Sequence, residues 1–291
     1  MRAPTVTSLI PGLFVFIWAT GFVTARLVAP HAEPLAFVAV RVVVTALVLA
    51  GIGFARSVRW PGEGRGWRDA MIAGGLMQGL YIAGVFWSVS RGLPAGIAAL
   101  VGSLQPLLTA AIAGPMLGES VSGRRWAGIG LGFLGAGLVL APKLGAVDAS
   151  GIPPAALGVC LAAMVAMTLG TLWQKRTAGG ADLLANATIQ FLGASLLMVP
   201  VALAAGAWRF EVGAPLAIGF AWSVLGNSVA GILLLMALIR AGAVAGVASL
   251  FFLVPPVSAV MAYLLFGEAL TFLQIAGMAV AAAGVALASR G

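Results

Sequence analysis

Residues 94–141 read PAGIAALVGSLQPLLTAAIAGPMLGESVSGRRWAGIGLGFLGAGLVLA. The stretch is an apolar span interrupted by Gln105-Pro106, a Gly118-Glu119 stop, a short polar turn, and a second apolar span rich in glycine. The pattern returns at 244–289 as VAGVASLFFLVPPVSAVMAYLLFGEALTFLQIAGMAVAAAGVALAS. There Pro255-Pro256 replaces Gln105-Pro106, and Gly267-Glu268 replaces Gly118-Glu119. A unit that occurs twice in one chain sets the fold to be expected.

The solvent for this fold is lipid. The 291 residues are 62% hydrophobic and 8% charged, with a mean hydropathy of +1.10. Soluble domains carry about 25% charged residues. Ten apolar segments, at 8–29, 34–55, 69–90, 94–114, 124–142, 152–174, 181–205, 215–239, 243–266 and 271–289, have the length that crosses a bilayer. Backbone groups left unpaired in hydrocarbon are costly, so each is expected to be a helix. The first reads as a span and not as a removable signal, because its apolar run is long and no good small-residue cleavage pattern follows it.

The net charge of +8 does not indicate nucleic acid, because the basic residues sit in short loops between spans. Alternate loops are unequal. Arg2, Arg56, Arg59, Arg65, Arg68, Arg124, Arg125, Lys175, Arg176, Arg240 and Arg290 fall on the side of the termini. Arg26, Arg91, Lys143 and Arg209 fall on the other. The excess predicts cytoplasmic termini and an inner-membrane location. The lone Cys160 rules out an internal disulfide, and His31 is the single histidine, so neither metal nor cofactor is expected. No GxxxxGK[ST] motif occurs, so no ATPase is built in.

A shift of 149 residues aligns the halves. Gly21 meets Gly170, Arg26 meets Lys175, Arg41 meets Gln190, Gln78 meets Asn227, and Glu119 meets Glu268. The register slips by one near 240–255. Five spans per half make the second half enter from the opposite side. The expected fold class is therefore an all-α integral membrane protein of ten transmembrane helices. They form two inverted five-helix repeats, 1–145 and 146–291, around a central cavity, as alternating-access transporters do.

At this point the chain resembles a known family. The two repeats, the proline about a dozen residues before Gly-Glu, the glycine-rich closing helix, and Trp18-Ala19-Thr20-Gly21-Phe22 with Arg41 in the second span resemble the EamA repeat of the drug/metabolite transporter superfamily. Within it the chain is similar to the YddG-type bacterial aromatic amino-acid exporters. The resemblance implies a multi-pass exporter of small metabolites.

Several residues could carry transport. Pro106 and Pro255-Pro256 interrupt the fourth and ninth spans, offering freed backbone groups to substrate or acting as static kinks. Gln78 and Asn227 occupy matching repeat positions, either lining a cavity or tying helices together. Tyr81 shares a helix face with Gln78, and Trp18 lies in mid-span, unlike the interfacial tryptophans. Ser103, Gln105 and Phe252 flank the breaks. Arg41 is the one charge well inside a span, with a structural role or one in gating or carboxylate binding.

The glycines at 128–137 and at 277 and 284 predict close helix packing within a monomer rather than a dimer seam. All acidic residues fall in loops or at span ends, whereas proton pumps usually keep an intramembrane relay. The expected function is export of amino acids, including aromatic ones, and similar metabolites, downhill or weakly ion-coupled. The rivals are an exporter of amphipathic organic cations and an integral-membrane enzyme. The enzyme would need an acidic or histidine cluster that this sequence lacks.

Overall fold

The computed structural model of the protein describes residues 6–28, 30–93, 98, 101–144, 152–206, 208–242, 244–267 and 270–290. We number its helical segments along the chain. They are α1 Val6–Val28, α2 Pro34–Ala55, α3 Gly64–Ser90, α4 Gln105–Leu117 and α5 Gly123–Leu144. They continue with α6 Pro154–Thr177, α7 Leu183–Ala205 and α8 Ala214–Ala241. Then α9 runs through Val244–Ser249, Leu250–Leu253 and Val254–Phe266, and α10 is Phe272–Ser289.

Among the described residues there is no strand, only one isolated bridge between Ala32 and Phe210. Eight of these helices are long and apolar enough to cross a membrane. The two others expected to cross are α1, a 23-residue apolar helix, and α4, which begins only after a turn at 103–104. The chain is a multi-pass membrane protein. Its outer faces carry large apolar side chains such as Phe54, Leu47, Leu264 and Ile218, all more than 60% exposed. In water such a surface would aggregate; in a bilayer it is the solvated face.

Glycine decides where helices touch. An added Cβ on Gly128 would lie 2.4 Å from the Ala288 nitrogen, and one on Gly135 would lie 2.2 Å from that of Ala281. From the other side, Gly284 abuts Gly132 and Gly277 abuts Gly135. As numbers rise along α5 they fall along α10, so the two helices run antiparallel at backbone contact. Small residues permit this approach in lipid, where dispersion and not hydrophobicity drives association. Gln274 adds a tie by donating from Nε2 to the Val139 carbonyl at 3.3 Å.

Three of the acidic residues, Glu33, Glu119 and Asp182, cap helices. Glu33 accepts from the Ala36 nitrogen at 2.8 Å at the start of α2. Asp182, 149 residues later, accepts from Leu184 and Ala185 at the start of α7. Gly118 ends α4 with a left-handed φ of 70°, and Gly267 repeats this after α9 with φ 66°. The turn at Gly118 delivers Glu119 to the start of α9, where its Oε2 accepts from the Val244 nitrogen at 3.1 Å. A carboxylate at a helix N-terminus satisfies an orphan donor and complements the dipole. Glu268 lies outside the described residues. Nearby, Lys175 donates to the carbonyls of Ile239 and Gly242, 2.8 and 2.7 Å away, at the end of α8. Glu119→Ala should lower the unfolding midpoint of the purified protein by a few degrees, for a loss of about 1 kcal/mol. Glu119→Gln, which keeps an acceptor, should recover part of it. Equal midpoints for all three would contradict the capping role.

Candidate functional site

Two of the interruptions read from sequence are real breaks. Leu104 donates to the Val101 carbonyl in a tight turn, and α4 restarts with Pro106 in its first turn. In α9 a 3-10 turn, Leu250–Leu253, precedes the α segment that contains Pro255 and Pro256. Proline fits the first turn of a helix because its missing N–H would find no partner there anyway. A second pair of irregularities had no signal in the sequence. Gly75–Leu80 in α3 and Ser223–Ala230 in α8 are π-helical, again about 149 residues apart. They contain Gln78 and Asn227 respectively. Such π turns often sit at functional sites because they re-aim side chains within an otherwise regular helix.

Asn227 spends its amide NH2 on α1, donating to the Ile17 carbonyl at 2.6 Å and to Thr20 Oγ1 at 3.2 Å. Its Oδ1 is buried without a partner. Trp222 Nε1 donates to the same Thr20 hydroxyl at 2.8 Å. The residue is thus a tie between α1 and α8 with one acceptor left over. Gln78 is 2% exposed and makes no side-chain hydrogen bond among the described residues.

Beside Asn227, the Ser228 hydroxyl accepts from Arg41 Nε at 2.9 Å. Arg41 is half-buried, lies near Tyr81, and makes no ion pair among the described residues. Four of its five N–H donors therefore have no partner among the described residues. On α1, one residue past Ile17, Trp18 packs against Phe14 and Phe251 with ring centroids 5.2 Å away in each case. Phe14 and Phe251 close the triangle at 5.4 Å, edge to face.

Asn227 and Ser228 thus set α8 against the backbone of α1 beside Trp18 and against Arg41 on α2, with Tyr81 near Arg41. Phe252 is not with them. It is fully buried against Gly132 in the core between α5 and α10, while its neighbour Phe251 faces Trp18. In a tight turn successive side chains point apart, and sequence alone did not say which phenylalanine turns inward. Gln105 is buried with both its Nε2 and Oε1 unpartnered, and Thr109, one turn later, is buried with an unpartnered hydroxyl. Ser103 is buried beside this break. An unpaired buried polar group costs about 1–3 kcal/mol, so α4 carries an unmet demand for hydrogen bonds. Phe14, Thr109, Ser228 and Phe251 were missed in the sequence. A buried hydroxyl one turn from Gln105 was the available signal for Thr109.

Two cavities of about 430 and 860 Å³ lie elsewhere, at the end of the bundle marked by Arg59 and Arg240. None of the residues just described lines either one.

The turn before α4 and the 3-10 turn in α9, and the π turns in α3 and α8, recur at a spacing of about 149 residues. The model of the EamA-like transporter family matches residues 10–141 and 154–290. The chain belongs to the EamA-like transporter family. It is 26% identical over 288 residues to the uncharacterized transporter YvbV of Bacillus subtilis (strain 168), covering 94% of this chain and 88% of that one. A protein of known crystal structure, 18% identical, superposes with a TM-score of 0.81 over 97% of this chain and 96% of its own. That likeness concerns the fold alone. Within an EamA-like transporter, polar and aromatic side chains gathered between helices are candidates for holding a small-molecule substrate.

Proposed function

We propose that this EamA-like transporter exports amino acids, aromatic ones included, and similar small metabolites across the inner membrane by alternating access. The two halves, 1–145 and 146–291, would be inverted five-helix repeats with ten crossings and both termini in the cytoplasm. The antiparallel run of α5 against α10 supports inversion, because these helices correspond in sequence yet point in opposite directions. The bias of Lys and Arg toward one set of loops supports the orientation.

The observation that carries the substrate class is Arg41. A guanidinium inside a membrane bundle with one hydroxyl partner and no carboxylate among the described residues suits a carboxylate arriving with substrate. The rings of Trp18 and Phe251 supply a face for an aromatic side chain. Those rings alone would also suit an organic cation, but the charge on Arg41 opposes one. Pro106, Pro255 and Pro256 mark the breaks about which α4 and α9 would bend. The carboxylates of Glu33, Asp182 and Glu119 are used as helix caps at span ends. This supports transport that is downhill or weakly ion-coupled.

The experiment is efflux from proteoliposomes loaded with a panel of radiolabelled amino acids. Saturable efflux of phenylalanine and neutral amino acids is expected, little changed by an imposed proton gradient and reduced several-fold in Trp18→Ala. Absence of saturable efflux for the whole panel would contradict the substrate class. Efflux that stops when the gradient is collapsed would contradict the coupling.

A further inference from the structure

The larger of the two cavities has no role in the substrate reading. It is a groove of about 860 Å³ between the end of α2, the start of α7 and the end of α8. Three arginines, Arg56, Arg59 and Arg240, line it, with the Ser57 hydroxyl among them. All three are exposed, and among the described residues none makes an ion pair. Among the described residues Arg240 donates only to the Ala181 carbonyl. The one carboxylate in the wall, Asp182, is used by the Leu184 and Ala185 nitrogens. Ser57 takes a left-handed φ of 50° and so turns the chain between Arg56 and Arg59, both of which reach the groove.

The rest of the wall is apolar. Ile52, Leu183, Leu184 and Leu233 line the groove, and Phe54, two residues from Ile52, is 71% exposed. An aromatic band fixes the depth. Trp60 stacks on Trp67 at 6.0 Å and packs against Phe54 at 5.3 Å, the kind of cluster that settles at headgroup level. A soluble anion would find the arginines here but would have no use for a leucine wall open to the hydrocarbon.

We propose that this groove binds the headgroup of an anionic phospholipid. The phosphodiester sits among the guanidinium groups of Arg56, Arg59 and Arg240, which match phosphate oxygens in forked geometry. An acyl chain lies along Ile52, Leu184 and Leu233. Basic pockets between helices at the membrane surface hold lipid headgroups in this manner. The groove lies on the side of the membrane where the chain concentrates its positive charge.

The test uses the full chain purified in neutral detergent. Phosphatidylglycerol, phosphatidylcholine or inorganic phosphate is added, and bound lipid is read by native mass spectrometry alongside the thermal unfolding midpoint. Phosphatidylglycerol is expected to stay bound and raise the midpoint, while phosphatidylcholine and inorganic phosphate do neither. The double variant Arg56→Gln/Arg59→Gln should weaken phosphatidylglycerol binding roughly thirtyfold, at about 1 kcal/mol per basic residue. Arg65→Gln, on a side chain outside the groove that pairs with Asp69, should leave binding unchanged. A monodisperse elution profile for each variant shows that it has folded. Equal retention of phosphatidylcholine, or a double variant that binds like wild type, would overturn the proposal. An equal midpoint shift with inorganic phosphate would reassign the groove to a free anion.

Discussion

Gly74→Ala should remove most of the folded protein from the membrane. A single methyl at this position would lie 1.9 Å from the Gln190 carbonyl oxygen, and the obstacle is backbone, which cannot rotate away. The helices α3 and α7 would have to part, and the facing contact at Gly193, where a Cβ would meet Met71 at 2.5 Å, would part with it. Overpacking a tight core costs about 1–3 kcal/mol even where side chains can yield, and here none can. The same reasoning holds for Gly135→Ala in the α5–α10 seam, where the Ala281 nitrogen is 2.2 Å away. Gly130→Ala and Gly137→Ala are the internal controls, since an added Cβ on either meets no other helix or side chain within 4 Å. On α5 they should be neutral or slightly stabilising, because alanine favours a helix over glycine. Fluorescence-detected size exclusion of the four variants reads the outcome directly. Equal folded yield for Gly74→Ala and Gly130→Ala would refute the backbone contact.

Arg41→Gln is the second large effect, and it separates function from structure. Glutamine keeps a donor for Ser228 but loses the charge. If Arg41 holds a substrate carboxylate, transport should fall roughly ten- to hundredfold, the worth of a charge-assisted hydrogen bond of about 1.5–3 kcal/mol. Folded yield should hold or rise, since an arginine in mid-membrane carries an insertion cost of about 2.5–3.5 kcal/mol. Arg41→Lys should transport at an intermediate rate. Initial efflux rates normalised to folded protein decide the matter. Reduced yield with normal transport per molecule would make Arg41 a structural tie to α8 and nothing more.

Much of the architecture could be read before any coordinates. Apolar runs of bilayer length matched most helices within a few residues, because hydrocarbon leaves the backbone no alternative, whereas the expected span 94–114 meets a turn at 103–104 and α4 runs Gln105–Leu117. The 149-residue repeat, the Gly118 and Gly267 stops and the glycine seam were visible because each is a local constraint on residue type. The candidate site was legible only in part. Trp18, Arg41, Tyr81 and Asn227 stood out as polar or amphipathic groups in apolar surroundings, and the structure sets Asn227 against the α1 backbone beside Trp18 and Arg41 against Ser228 of α8. Gln105 stood out in the same way and lies buried and unpartnered.

What the sequence hid were matters of rotation and partner. Nothing in SLFFLVPP tells which of Phe251 and Phe252 turns inward, since a 3-10 turn changes the angle between successive side chains. The π turns around Gln78 and Asn227 are an accommodation between helices, not a preference of the residues within them. The use of Glu119 as a cap on α9, 125 residues away, likewise depends on how helices assemble.

The account rests on two equivalent halves inserted in opposite directions, and equivalent positions at the starts of α5 and α10 test this. Ser122 and Thr271 are exposed, 149 residues apart, and each caps its helix by accepting from a backbone nitrogen. Single cysteines at these positions, in a background where the buried Cys160 is alanine, are labelled with a membrane-impermeant maleimide in right-side-out and inverted vesicles. Inversion predicts that Ser122→Cys reacts only in inverted vesicles and Thr271→Cys only in right-side-out ones. Labelling of both from the same side would contradict it.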